Sequence, residues 1–279
     1  MSHKAILQEI EQLDPVKDHQ RIVVLTACYE FPFDTTRSLE YALFRTFAVA
    51  KGSKLLASTG EFTERPQKRY DDTVLLLSEI LEHGYDSERG RAALRKINRM
   101  HNRYPIPNDE FLYTLSTFIY EPIRWNGRFG WRPLLEKEKL AAFHYWREVG
   151  RRMGIKELPT DYHEFEQFNI EYEKAHFRYS ENNARIAKAT QEMFLGWFLP
   201  RFMWGMGRPF LAAVMDSRMI EAIGLDKAAP WKTRLVEGML KVRAGVLRMM
   251  PGRKRPFYFT KKKYRTYPEG YEIEELGAF

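Results

Sequence analysis

The chain has 279 residues, 44% hydrophobic and 14% aromatic, which suffices for a sizeable core and is too apolar for disorder. Cys28 is the sole cysteine, so neither a disulfide framework nor a cysteine-based zinc site can form within one chain, and a reducing compartment fits. The net charge is +8 but unevenly spread: 21 basic and 20 acidic residues fall in 1–140, against 16 and 5 in 192–265. A basic region can meet nucleic acid, anionic lipid or only water. With no zinc finger, no ribonucleoprotein motif and no regular basic stripe, a nucleic-acid partner is not expected.

The N-terminus is too acidic and too broken for a signal peptide. No run reaches the roughly 18 apolar residues of a spanning helix, and segment 193–215 is interrupted by Pro200-Arg201 and Arg208-Pro209. A cytoplasmic protein, soluble or peripheral to a membrane, is the expectation.

Helical signals begin at once. Ile6, Ile10 and Leu13 line a first short helix, and 20–29 forms a second apolar segment. The run Glu30 to Asp34 breaks it, after which Asp34 or Thr35 can cap a helix through Arg45, with Leu39, Leu43, Phe44 and Phe47 on its apolar side. Gly60 stops the stretch 54–60. A helix beginning near Pro66 carries Arg69, Thr73, Leu76, Leu77 and Ile80 on adjoining positions and ends at Gly84. Ser87 and Glu88 start the next, in which Leu94, Ile97, Met100, His101 and Tyr104 share a stripe. After Pro105-Ile106-Pro107 another helix runs to Trp125, and the turn 126–130 ends it. Further helices are expected over 134–154, from a Thr160 cap to His176, and over 183–198, 209–223 and 230–250. The polar tail reads as an extended arm. Only Phe257-Tyr258-Phe259 hints at a strand, and there is no internal repeat. One all-α domain over 1–279 is the simplest account.

Most catalytic signatures are missing: there is no Gly-rich phosphate loop, no nucleophile elbow and no His-Glu-x-x-His. Glu173-Lys174-Ala175-His176 supplies one Glu-x-x-His pair where a di-iron bundle needs two. His3, His19 and His83 read as surface residues. His101 lies on an apolar stripe, and a buried imidazole needs partners for both nitrogens: a hydrogen-bond network, or a metal such as haem iron. Arg69 and Thr73, four apart, form a donor pair for an anion or polarised oxygen; alternatively Arg69 pairs with Asp71 or Asp72 at the surface.

Several stretches carry a resemblance: Glu30-Phe31-Pro32, the 42–47 and 54–59 segments, Arg69-x-x-Asp72-Thr73, and Asn98-Arg99-Met100-His101. The most specific are Asn108-Asp109-x-Phe111-Leu112-Tyr113-Thr114-Leu115, Glu121-Pro122-Ile123-Arg124-Trp125 and Gly130-Trp131-Arg132-Pro133-Leu134, with Tyr267-Pro268-x-Gly270-Tyr271 and Ile273 to Gly277 at the end. Together they resemble the rubber oxygenase (latex clearing protein)/MpaB family of haem-dependent oxygenases, most closely its MpaB branch. The resemblance implies a globin-like helical core with extra helices around haem b, with O2 as co-substrate and a lipophilic, isoprenoid-like substrate whose C=C bond is oxidised or cleaved. It places the proximal iron ligand at His101, the pocket arginine and threonine at Arg69 and Thr73, and a further pocket threonine at Thr114. Where rubber oxygenases carry a lysine this chain has Asp72, so lysine ligation is not implied, and their upstream catalytic acid has no secure counterpart, Glu61 and Glu64 being only nearby. The other readings are a peroxidase-like or gas-binding haem protein and a cofactor-free lipid-binding helical protein. The basic, Trp- and Met-rich stretch 193–255 is read either as a docking face for anionic membrane or as an ordinary helical core with a solvated basic side.

Overall fold

The helix boundaries fall where capping chemistry puts them. The computed structural model describes residues Ser2–Ala278. It holds α1 (His3–Gln12), α2 (His19–Val24), α3 (Pro32–Phe47), α4 (Ala50–Ser58), the single turn α5 (Glu61–Glu64), α6 (Pro66–His83) and α7 (Glu88–His101). Then come α8 (Asn108–Phe129), α9 (Glu136–Arg152), α10 (Tyr162–His176), α11 (Glu181–Leu195), α12 (Trp204–Ala212), α13 (Ser217–Ile223) and α14 (Pro230–Met249). The fold is all-helical: among the described residues the sole β contact is an isolated bridge between Val49 and Phe177. Ser87 opens α7 by accepting from the Gly90 N–H at 3.0 Å, and Gly84 ends α6 at φ 87°, a conformation that favours glycine.

Four expected boundaries shift, each for a local reason. Asp34 does not cap α3, which starts at Pro32; it is fully buried and accepts from Trp125 Nε1 (3.0 Å) and both terminal nitrogens of Arg243. The cap of α10 is Asp161, one residue after Thr160, accepting from the Glu164 N–H. The stretch 209–223 divides because Asp216 caps a separate helix, α13. Finally, α8 runs through Asn126 and Gly127 to Phe129, whose buried ring packs on Trp125 with centroids 5.0 Å apart. Tertiary burial overrides the turn signal there. Phe257 to Phe259 forms no strand; the Phe257 N–H donates to the Cys28 carbonyl, beside a π-helical stretch, Leu25–Glu30.

The interior consists of apolar clusters that abut without merging. One joins α1, α2, α6, α7, α9 and the C-terminal tail. A second lies between α3, α4, α6, α8, α10, α11 and α13, and a third between α8, α9 and α10. Val74 touches the first and second, Trp146 the first and third, Phe168 the second and third, and all three are only partly buried. α6 packs closely on α7, and α8 on α9, but α6 and α8 hardly approach each other.

A buried ionic knot ties the second cluster together. Arg45 on α3 reaches Glu121 on α8 (2.8 Å), Glu173 on α10 (3.0 Å) and Asp216 (2.9 Å). Burial opposes its charge, but the three carboxylates outweigh that and raise its pKa. Removing the cation strands two buried acids, Glu121 and Glu173, whereas Asp216 is exposed. Arg45→Met is therefore expected to destabilise by about 3–5 kcal/mol, read as a lower urea midpoint at unchanged m-value; a loss under about 1 kcal/mol would mark the knot as solvated.

Candidate active site

The rotation of α6 about its axis selects which residues face inward. Its acids are drawn outward by the C-terminal tail. Asp71 accepts from the Thr266 N–H and hydroxyl (3.0 and 2.7 Å), and Asp72 accepts from Lys68 (2.9 Å) and the Tyr267 hydroxyl (2.5 Å). Lys68 also donates to the Gly277 carbonyl. Both aspartates are buried and fully engaged, so the surface pairing with Arg69 is overturned. Arg69, Thr73 and Leu77 share the other side at i, i+4 and i+8.

Arg69 donates to the Thr73 hydroxyl, and its guanidinium lies over the Phe62 ring with 5.3 Å to the centroid. It makes no ion pair with any carboxylate among the described residues. Burial lowers its pKa, with Asp72 and Glu61 partly opposing. Thr73 also donates to the Arg69 carbonyl at 2.8 Å, which fixes the hydroxyl and so orients the arginine. Five N–H donors with one protein acceptor make an anion-seeking group.

His101 is the last residue of α7, packed against Phe111 of α8 with ring centroids 5.3 Å apart. Tyr104, expected on the same stripe, lies beyond the helix end. The His101 Nδ1 is buried without a hydrogen-bond partner; Nε2 is likewise unpaired but keeps some access. Burial, and then the nearby Arg69 charge, push its pKa down to about 4. The imidazole is therefore neutral at physiological pH, with a lone pair available. Behind it, Gly277 (φ 87°) seats on Met100 with no room for a Cβ, so the tail buttresses the turn that carries His101.

Between Glu110 and Glu121 of α8 the partly accessible positions are Phe111, Thr114 and Phe118, spaced i, i+3 and i+7. Phe118 stacks on Trp146 of α9 at 4.7 Å, while Leu77 on α6 joins none of the apolar clusters. The Thr114 hydroxyl has no protein partner among the described residues and sits one turn from Phe111. His101 packs against Phe111, and the Arg69 charge is near enough to lower its pKa. Arg69, Thr73 and Leu77 of α6 and Phe111, Thr114 and Phe118 of α8 each keep partial exposure. Two clefts lie elsewhere, about 730 Å³ between α1, Trp131 and Arg248, and about 510 Å³ beside His83 and the tail.

Sequence reasoning missed Phe62, Phe111 and Phe118. The 111–114–118 spacing was the available signal, but it reads equally as core. Two other histidines are corrected. His19 is buried between the Val16 carbonyl (2.5 Å) and the Tyr85 hydroxyl (2.6 Å), and His3 pairs with Glu30 at 2.8 Å; His83 is exposed. Glu173 is committed to Arg45 while His176 points to solvent, so that pair is no ligand half-set. Among the described residues, no three His, Cys, Asp or Glu side chains are grouped to hold an ion.

Two groups titrate with opposite sign. His101, near 4 when folded and 6.5 when unfolded, makes stability fall as pH drops through that interval, because only the unfolded chain takes the proton. Glu40 on α3 is buried, and desolvation outweighs Arg37 and the Tyr70 hydroxyl to raise it from 4.5 to about 7, so stability falls as pH rises between those values. In the ligand-free protein, urea midpoints from pH 4.5 to 6.5 should decline more steeply with pH in His101→Gln than in wild type, and less steeply in Glu40→Gln. Parallel profiles for all three would contradict both assignments.

Residues 46–248, which contain Arg69, Thr73, His101 and Thr114, match the family described as ER-bound oxygenase mpaB/B′/rubber oxygenase, catalytic domain. The chain is similar to an ER-bound oxygenase mpaB′ of Penicillium brevicompactum, 29% identical over 79% of this chain and 56% of that protein. It is also similar to an ER-bound oxygenase mpaB of Penicillium roqueforti (strain FM164), 30% identical over 71% of this chain and 72% of the relative. A shorter match, 36% identical over 45% of this chain and 34% of the other, is to an mpaB of Penicillium brevicompactum. The chain thus spans about half the length of the first of these relatives and more of the second. With a family match that takes in α6, α7 and α8 whole, this chain belongs to the mpaB/B′/rubber oxygenase family.

Proposed function

We propose that residues 1–279 act as one catalytic domain that holds haem b and oxidises or cleaves a C=C bond of a lipophilic, isoprenoid-like substrate with O2. The carrying observation is the His101 imidazole, neutral and without a hydrogen-bond partner, packed against the apolar Phe111 ring. A satisfied core histidine looks like His19, with both nitrogens bonded. Membership of the family supports the same reading.

His101, a buried neutral imidazole with an orphaned nitrogen, would be the residue that holds haem iron. Arg69, in no ion pair, would hold a propionate or another polar oxygen through charge-assisted bonds. Haem, when bound, supplies the iron centre that activates O2; the protein supplies position and dryness. Thr73 holds the Arg69 guanidinium in place. Phe111, Phe118 and Leu77, each partly accessible, would offer apolar contact to an alkene. The free hydroxyl of Thr114 can orient a polar atom of the substrate or of oxygen.

No helix among the described residues is long and apolar enough to cross a membrane. The relatives are named as ER-bound, and a lipophilic substrate would reach the site from a bilayer; both support work at a membrane periphery.

Protein purified with added haemin should show a Soret band. His101→Ala should shift that band and weaken haemin binding at least about 100-fold, more than loss of an outer-shell partner. Arg69→Leu, which keeps the iron ligand, should weaken binding about 10-fold or more, as expected for a charge-assisted bond. Oxygen uptake with an unsaturated terpenoid separates an oxygenase from a gas-binding or peroxidase-like protein. A colourless protein that ignores haemin would leave the cofactor-free reading standing.

A further inference from the structure

α14 is apolar on two opposite sides, and only one of them is used. Val236, Leu240, Ala244 and Leu247 turn inward onto Trp125, Phe129, Val214 and the Phe31–Trp131 cluster. Trp231, Leu235, Met239, Val242, Val246 and Met249 recur at i, i+4, i+8, i+11, i+15 and i+18, an arc about 80° wide on the outer side. They are exposed: Trp231 by 59%, Met239 by 64%, Val242 by 69% and Met249 by 82%. A surface helix normally turns charge outward here. The helix α12 packs on α14, the turn before it packs on α12, and the two add Met206 and Phe202, also exposed.

The charges around this ridge have one sign. Lys232 borders one edge, Arg234 and Lys241 the other, and Arg253, Lys254 and Arg255 follow the helix. The one acid of α14, Glu237, is neutralised by Arg128 at 3.0 Å. Arg243 anchors the helix inward to Asp34 (3.0 Å) and Arg248 to the Trp131 carbonyl (2.9 Å), so the ridge is held rigidly. A second copy meeting this face about a twofold axis would set cation edges against each other. A straight ridge of 20 residues, about 30 Å long and edged by cations, matches a flat anionic surface with an apolar interior.

We propose that this outer face of α14, with Phe202 and Met206, is the membrane-docking surface, lying in the headgroup region of an anionic bilayer with its apolar ridge inserted and Trp231 at the interface. This rests on the peripheral-membrane reading above and names the surface responsible for it. Insertion is driven by burying the ridge, and the basic edges add attraction that salt weakens.

Flotation of the haemin-loaded full chain with phosphatidylcholine vesicles, with and without phosphatidylserine, tests it. Wild type should float with the phosphatidylserine vesicles and be released by high salt. Leu235→Glu/Met239→Glu/Val242→Glu should lower partitioning at least about 100-fold, and Lys232→Gln/Arg234→Gln/Lys241→Gln about fivefold per cation removed. Circular dichroism and haemin binding should match wild type, since these side chains lie outside the core. Wild type that never floats would overturn both the membrane reading and this face. Wild type that floats together with an equally floating glutamate variant would overturn this face alone. A concentration-dependent dimer abolished by the glutamate variant, with no flotation, would assign the ridge to a second copy and overturn the proposal.

Discussion

The orientation of α6 is the constraint on which the site depends. This helix carries Lys68, Arg69, Asp71 and Asp72 within five residues, and a rotation of about a quarter-turn would exchange which charges face the interior. The C-terminal tail removes that freedom. Thr266 takes Asp71, Tyr267 takes Asp72, and the Gly277 carbonyl takes Lys68, while Tyr271 donates to Glu79 two turns later at 2.6 Å. With every other charge bound outward, Arg69 is the one turned in, and Thr73 and Leu77 follow it by helical geometry.

The same tail governs α7. Lys96 donates to the Glu274 carbonyl at 2.8 Å, Leu276 is fully buried, and Gly277 seats on Met100. The arm that reads as polar and extended is thus a strap across the outer side of both helices bearing the site's polar groups. In this packing Asp72 faces the strap, so a lysine there would meet Lys68 and lose the Tyr267 bond.

Much of this was legible from residue order. The helix around Pro66, the Ser87 cap, the extent of α9 and the start of α14 follow from caps, breakers and apolar spacing, which are local signals. What failed was decided at a distance. Asn126-Gly127 is a turn in isolation, yet α8 continues because Phe129 gains a buried site against Trp125. Asp34 has the chemistry of a cap, yet Trp125 and Arg243, far along the chain, claim its oxygens. His19 looked exposed until Tyr85 closed over it. The site divides the same way. Spacing put Arg69 beside Thr73 and His101 among apolar residues, but only the tail's capture of Asp71 and Asp72 decides between an inward and a surface arginine.

The chain leaves the His101 ring without a hydrogen-bond partner and gives the Arg69 guanidinium a single side-chain acceptor, the Thr73 hydroxyl. An unmet buried polar atom costs about 1–3 kcal/mol, and a desolvated cation more. Elsewhere the fold pairs such charges: Arg45 has three carboxylates, and Glu79 has Arg89 and Tyr271. Under the reading proposed above, a flat apolar molecule with anionic edges would meet both the imidazole and the guanidinium, and by linkage its binding would stabilise the fold in proportion to its affinity.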